Sequence, residues 1–308
     1  MIFEDTIAIL HSRYGSELKD LTLDRVVIGI FFTGVKLSNG AAGVSYTPID
    51  EMSASCCRKS HDGARRGKVS FQGASAHDIL DAPDRGFRMR AVKMALINAL
   101  SAQLLLKGSY DLIPDVDTID LLDFSSIGRM SMVGAFKTFL DRLKVMEGIR
   151  LHVVERRKEA LREDELSYFV PADKAREAFE YSDAVIITGA TIANDTIDGL
   201  LELVPAGATV IVVGPTASLI PDAFFAKGVG ALGCAIVTDA DECMDSIAQG
   251  GDALSLFNSG ILKKISIINI SGNKRPAHIL SEPPEHRNPI APPQYSAGGK
   301  NGLCPRGL

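Results

Sequence analysis

Two rhythms of apolar positions divide this chain. From Arg129 onward, short β-branched runs alternate with stretches whose apolar residues fall three or four apart. The runs at 130–133, 149–154, 184–187, 209–213 and 235–238 predict strands buried on both faces. Helical spacing predicts helices over 136–146, 172–181, 219–226, 243–248 and 252–262. The clearest repeat is 183–204, where Thr188 and Gly189 end an apolar run. Asn194, Asp195 and Thr196 then offer helix N-cap chemistry, and Ile197, Leu200, Leu201 and Val204 come next at helical spacing. Strand, short polar loop and helix are expected there. Such alternation implies a parallel sheet with helices on both faces.

The opening third has a different pattern. Helices are predicted over 2–13 and 87–107, with a short one starting at 76. A strand is predicted over 23–32, then a hairpin turning at Asn39-Gly40, and a polar loop over 50–75. Residues 1–108 thus read as an α+β domain and 129–270 as a doubly wound α/β domain. Residues 109–128 carry Asp111, Asp115, Asp117, Asp120 and Asp123 and read as a solvated acidic linker. They lack the turn glycine and closing glutamate of a calcium loop. Residues 271–308 are rich in proline and glycine and are expected to be an extended or disordered tail. Pro292-Pro-Gln-Tyr295 in that tail would serve a third possibility, a scaffold that binds a partner.

Composition narrows the classes. The chain has 308 residues, 46% of them hydrophobic, enough for two cores. A net charge of −5 argues against a generic nucleic-acid or anionic-membrane binder. No apolar run reaches a membrane span, and the N-terminus lacks a signal-peptide pattern. Five cysteines, an odd number, favour a reducing cytoplasm over a disulfide framework.

No strand carries the three spaced glycines of a dinucleotide fingerprint, so a conventional NAD site is not expected. The single glycines at 189 and 214 either donate backbone N–H groups to a ligand or simply permit tight turns. Cys56, Cys57 and His61 could hold a soft or borderline metal, but vicinal cysteines lack the usual spacer, so a plain loop with free thiols is the competing reading. Glu155 ends a predicted strand beside Arg156 and Arg157. It could accept a proton, meet a hydroxyl or cation, or form only a surface ion pair. Asp239 and Asp241 share these alternatives. No Walker loop, nucleophile elbow or zinc-hydrolase helix is present.

The chain resembles a largely uncharacterised family described as putative heavy-metal chelation proteins. The resemblance rests on Met132-Val-Gly-Ala-Phe136, Val154-Glu-Arg156, the run from Ile187 to Leu201, Gly214-Pro-Thr216 and Gly228, Val229, Leu232 and Gly233. In the first half it rests on Phe32-Thr-Gly-Val-Lys-Leu37, Gly43-Val-Ser-Tyr46 and Ile97-Asn-Ala-Leu-Ser101. It implies an enolase-N-terminal-like domain followed by a Rossmann-like domain, with one site in the cleft between them. Carried over by position, that site involves Gly134, Phe136, Glu155, Thr188, Gly189, Asn194, Thr196, Gly214, Pro215 and Thr216, with Asn98 on the opposite wall. The family pattern often has a serine before the last threonine; here Thr216 follows Pro215 directly. Hydroxyls, amides and one carboxylate suit a hard cation or small polar ligand better than thiolate chelation.

The leading expectation is a protein binding a divalent or heavy metal ion, or a small metal-chelating molecule, for metal handling. The alternative is an enzyme acting on a nucleotide-like or amino-acid-like metabolite, S-adenosylmethionine-related compounds included, with Glu155 as acid or base. A small-molecule or metal partner is expected, without nucleic acid or membrane, and a homo-oligomer is allowed.

Overall fold

The computed structural model describes residues 1–49, 70–84, 86–270 and 276–281. Cys56, Cys57 and His61, most of the predicted 50–75 loop and most of the tail lie outside the described residues.

Helix α1 (Ile2–Tyr14) and the single turn α2 (Glu17–Asp20) precede an antiparallel sheet of β1 (Leu23–Ile28), β2 (Phe32–Leu37) and β3 (Ala42–Tyr46), in that order. The Asn39-Gly40 turn forms as expected. Gly40 takes φ +88, and the Asn39 side chain accepts from the Ala41 N–H at 3.2 Å. The single strand predicted over 23–32 is instead broken at Gly29. Its N–H donates to the Phe32 carbonyl at 2.9 Å, and a Cβ there would lie 2.6 Å from the Ile247 carbonyl oxygen. An unbroken apolar run does not announce such a reversal, because the close approach that needs Gly29 comes from the other end of the chain.

Helix α3 (Ala76–Asp81), capped by Ser75, leads to α4 (Phe87–Leu104). The stretch Phe87–Gly108 is apolar and long enough to cross a membrane by composition, yet 72% of that window is buried inside the protein. It is a core helix with the small sheet on one side and the second unit on another. Its closest crossing is at Gly43 of β3, where an added Cβ would lie 2.3 Å from the Ala99 nitrogen.

The second unit contains β4 (Leu112–Pro114), β5 (Arg129–Val133), α5 (Lys137–Leu143), β6 (Arg150–Glu155), β7 (Phe169–Pro171), α6 (Ala175–Phe179) and β8 (Ala184–Thr188). It continues with α7 (Ala190–Ala193), α8 (Ile197–Leu201), β9 (Thr209–Val213), α9 (Asp222–Phe225), β10 (Ala231–Val237), α10 (Ala240–Ala248), α11 (Ala253–Asn258) and β11 (Leu262–Ile268). Its strands form one sheet in the order β4-β11-β10-β9-β8-β5-β6-β7. Pairing is parallel from β10 to β7, while β11 and β4 are added antiparallel. Helix α5 covers one face with Phe139, Leu140 and Leu143. Helices α6 to α9 and the first unit cover the other, through Phe179, Ile192, Ile197 and Phe224. The fold is α/β, with a parallel-dominated sheet beside a small antiparallel one.

Three expectations change. The acidic linker is part of the second unit: β4 pairs with β11, and Val116, Ile119, Leu121 and Leu122 are buried. Its aspartates stay at the surface between those apolar residues, with Asp117 on Lys264 at 2.7 Å and Asp120 on Arg142. The helix predicted over 252–262 stops at Asn258, and Leu262 already belongs to β11, a strand the apolar pattern did not predict. Finally, residues 276–281 dock on the second unit although the tail was expected to begin at 271. Ile279 is buried, and the Leu280 N–H donates to the Leu121 carbonyl at 2.8 Å.

Candidate functional site

In a doubly wound sheet, a polar crevice opens where two neighbouring strands send their connections to opposite faces. Here that point lies between β5 and β8. The chain leaves β5 over one face through α5 to reach β6, and leaves β8 over the other through α7 and α8 to reach β9. Gly134 follows β5 with φ +92, and a Cβ on it would lie 3.1 Å from Thr188 Cγ2 at the end of β8. Glycine thus keeps the two strand ends in contact while the backbone turns.

Glu155 ends the neighbouring β6. One carboxylate oxygen accepts from the Ala135 N–H at 3.3 Å, the other from the N–H groups of Arg156 at 2.7 Å and Arg157 at 3.4 Å. It braces the loop after β5 against the loop after β6. Those contacts give no support to an acid–base role. Phe136 stacks on Phe139 with centroids 5.4 Å apart, which anchors the entry to α5. Thr188 Oγ1 accepts from the Ala190 N–H at 3.3 Å, and its carbonyl accepts from Thr191 Oγ1 at 2.6 Å.

The polar loop expected after Thr188 is the helical turn α7. Thr196 precedes α8 without capping it by its side chain. Its hydroxyl donates instead to Asn194 Oδ1 at 2.7 Å, around Asp195 at φ +62. Arg90 of α4 secures this corner, donating to the Ile192 carbonyl at 3.0 Å and to Asp195 at 3.3 Å. Its guanidinium lies 3.5 Å over the Phe3 ring. Burial pushes the Asp84 carboxyl up, but hydrogen bonds from Arg90 and Lys93 outweigh it and hold Asp84 below the usual carboxylate range. Arg90 was not anticipated. The signal was a run of cations, Arg88, Arg90 and Lys93, at the start of a mostly apolar helix.

The remaining predicted residues form a closed joint. Asn98 is 2% exposed, and its amide donates to the carbonyls of Val44 at 2.6 Å, Pro215 at 3.2 Å and Thr216 at 3.3 Å. Thr216 Oγ1 accepts from the Tyr46 N–H at 2.8 Å. Gly189 lies so close to the following loop that a Cβ would be 2.6 Å from the Ala217 nitrogen. At this point the two units touch, and the loops after β8 and β9 spend their polar groups on the first unit. The expected set therefore divides: Gly134, Phe136, Glu155 and Thr188 are at the switch point, Asn194 and Thr196 come after the helical turn that follows β8, and Asn98, Pro215 and Thr216 hold the joint, with Gly189 and Gly214 packed within the second unit behind it.

Among the described residues no three His, Cys, Asp or Glu side chains come together as a metal site. Cys234 and Cys243 are buried, and burial pushes both thiols up to about 12. Thiolate is the reactive and metal-binding form. Both are expected to resist alkylation in the folded protein at pH 8 and to react after denaturation, as peptide mass spectrometry would show; labelling of either in the native state would contradict this burial.

Two family models, each described as putative heavy-metal chelation, match residues 11–101 and 117–266 and together span most of the chain. An uncharacterised protein of Methanocaldococcus jannaschii is 28% identical over 215 residues, covering 67% of this chain and 75% of that protein. A crystal structure from Pyrococcus horikoshii matches with a TM-score of 0.68 at 19% identity, covering 87% of this chain and 100% of the other. One from Desulfitobacterium hafniense matches at 0.62 and 16%, covering the same shares. Both are described as proteins of unknown function from the family whose model matches residues 117–266. These likenesses extend the fold to nearly the whole described chain.

Proposed function

Because this chain belongs to the two-domain family described as putative heavy-metal chelation proteins, we propose that it handles metal by holding a small metal-chelating molecule at the carboxyl ends of β5, β6 and β8. The observation that carries the reading is the switch-point contact of Gly134 with Thr188, bordered by Glu155. Its groups are backbone, hydroxyl and carboxylate, and such groups suit an oxygen-rich chelate or a hard cation better than a bare soft metal. Asn194 and Thr196, hydrogen-bonded to each other at 2.7 Å, follow the helical turn α7 that begins just after β8. The metal is cargo in this proposal, and the setting proposed is the reducing cytoplasm.

The test uses the full chain purified without added chelator. Bound metal is measured first; Mn²⁺ is then titrated alone and as its citrate complex. The proposal expects the citrate complex to bind more tightly than the ion. Glu155→Ala and Asn194→Ala should each remove that binding at a stability cost of no more than about 2 kcal/mol, for the loop hydrogen bonds each loses. If either variant unfolds the protein, the residue is structural and leaves the site. If binding instead disappears only when Cys56, Cys57 and His61 are changed together, the crevice is not the site.

A further inference from the structure

The amino-terminal ends of β5 and β6, opposite the crevice, carry a second arrangement. Arg129 opens β5 and Arg150 opens β6, and the register pairs them directly. In a parallel pair, residues in register point to the same face about 4.8 Å apart. Like charges placed so repel one another. Neither guanidinium forms an ion pair among the described residues, although Asp183 Oδ2 accepts from the Arg129 backbone N–H at 2.8 Å; the Arg129 guanidinium carbon lies 5.1 Å from the centroid of the Tyr181 ring. Two residues further along, His152 faces the same side, its Nδ1 3.2 Å from the Ala178 carbonyl oxygen.

These side chains line one half-open hollow of about 280 Å³, bordered on the other side by the exposed Glu177 and Glu180 of the α6 region. Glu177 is 3.8 Å from Lys174, and that is a loose surface pair. The hollow thus has two guanidinium groups without ion pairs on its sheet wall and two carboxylates on its helix wall. Its volume lies at the small end of metabolite sites. Paired guanidinium groups bind carboxylate or phosphate by charge-assisted, often bidentate hydrogen bonds. Carboxylates opposite repel a bare anion and attract an amine.

We propose that this hollow binds a small zwitterion, its phosphate or carboxylate on Arg129 and Arg150 and its amine toward Glu177 and Glu180. The site is separate from the switch-point crevice, which lies at the other ends of β5 and β6. Nothing in the metal-handling proposal depends on it. An occupied site would also remove the repulsion that the register imposes on the two arginines.

The experiment measures melting temperature and calorimetric binding on the full chain, with phosphoethanolamine as the zwitterion, inorganic phosphate as the anion alone and ethanolamine as the amine alone. Phosphoethanolamine should raise the melting temperature, phosphate less so, and ethanolamine not at all. Arg129→Gln and Arg150→Gln should each weaken phosphoethanolamine binding at least about tenfold, the loss expected for a charged hydrogen bond. In anion-free buffer neither variant should melt below the unaltered protein, because each relieves a like-charge contact. Glu180→Gln should narrow the preference for the zwitterion over phosphate. No shift with phosphoethanolamine or phosphate, or an undiminished shift in both arginine variants, would overturn the site. Equal responses to phosphoethanolamine and phosphate would overturn the role given to the glutamates.

Discussion

Gly43→Ala is expected to cost about 3 kcal/mol or more, at the upper end of the range for overpacking a close contact. The added methyl would lie 2.3 Å from the Ala99 nitrogen, 2.4 Å from the Ala95 carbonyl oxygen and 2.8 Å from the Asn98 carbonyl carbon. All three are backbone atoms of α4, so no side chain can rotate away. Relief requires β3 to lift off the helix, which opens the core of the first unit around Val35, Leu96 and Leu100. For a protein of this size the melting temperature should fall by roughly 6–12 °C. Gly199→Ala is the control. That glycine lies in α8 with nothing within 4 Å, and alanine there should be neutral or stabilising by up to about 1 kcal/mol. Should Gly43→Ala melt within a degree or two of the unaltered protein, β3 and α4 do not cross as closely as described.

Asn98→Leu is expected to lower the melting temperature by roughly 5–15 °C, corresponding to about 2–4 kcal/mol for buried acceptors left short of a donor. The leucine keeps the branched shape of the side chain, with larger methyl groups, and removes its amide. The carbonyls of Val44, Pro215 and Thr216 would then lose a donor they share at the joint of the two units. Asn98 Oδ1 has no partner among the described residues, so the amide donor carries the interaction. Thr216→Val should act in the same direction, since it removes the acceptor of the Tyr46 N–H. The contrast with Glu155→Ala and Asn194→Ala is the useful part. Joint residues should change the melt first, and crevice residues should change binding first. Loss of ligand binding in Asn98→Leu with an unchanged melt would return Asn98 to the ligand site.

The strand ends illustrate how much of the site could be read beforehand. The apolar runs ending at Val133, Thr188 and Val213 were visible because buried parallel strands are continuous in sequence. The chain order of those strands does not state their order in space. Gly134, Phe136, Glu155, Thr188, Gly189 and Thr216 all looked alike as candidate positions at turns. Only the placement of β8 beside β5 separates Gly134 and Thr188, at a switch point, from Gly189, packed on the loop after β9, and Thr216, bonded to the first unit. The acidic stretch before β5 failed for a related reason. Its charges dominate the local composition, whereas the fold buries the apolar residues between them.

Local chemistry therefore decided most of the segments that are helix or strand, β4, β7 and β11 excepted, because apolar periodicity, glycine at tight turns and capping residues act within a few positions of one another. It also decided that Asn39-Gly40 would turn a hairpin and that residues 87–104 would form a core helix. Tertiary structure alone decided which strand ends close and which border a crevice, that Asn98 fastens the two units, and that Arg129 and Arg150 lie side by side. Each of these is a contact between groups distant in the chain. Its energy comes from backbone and charged groups finding, or lacking, partners that no neighbouring residue could supply.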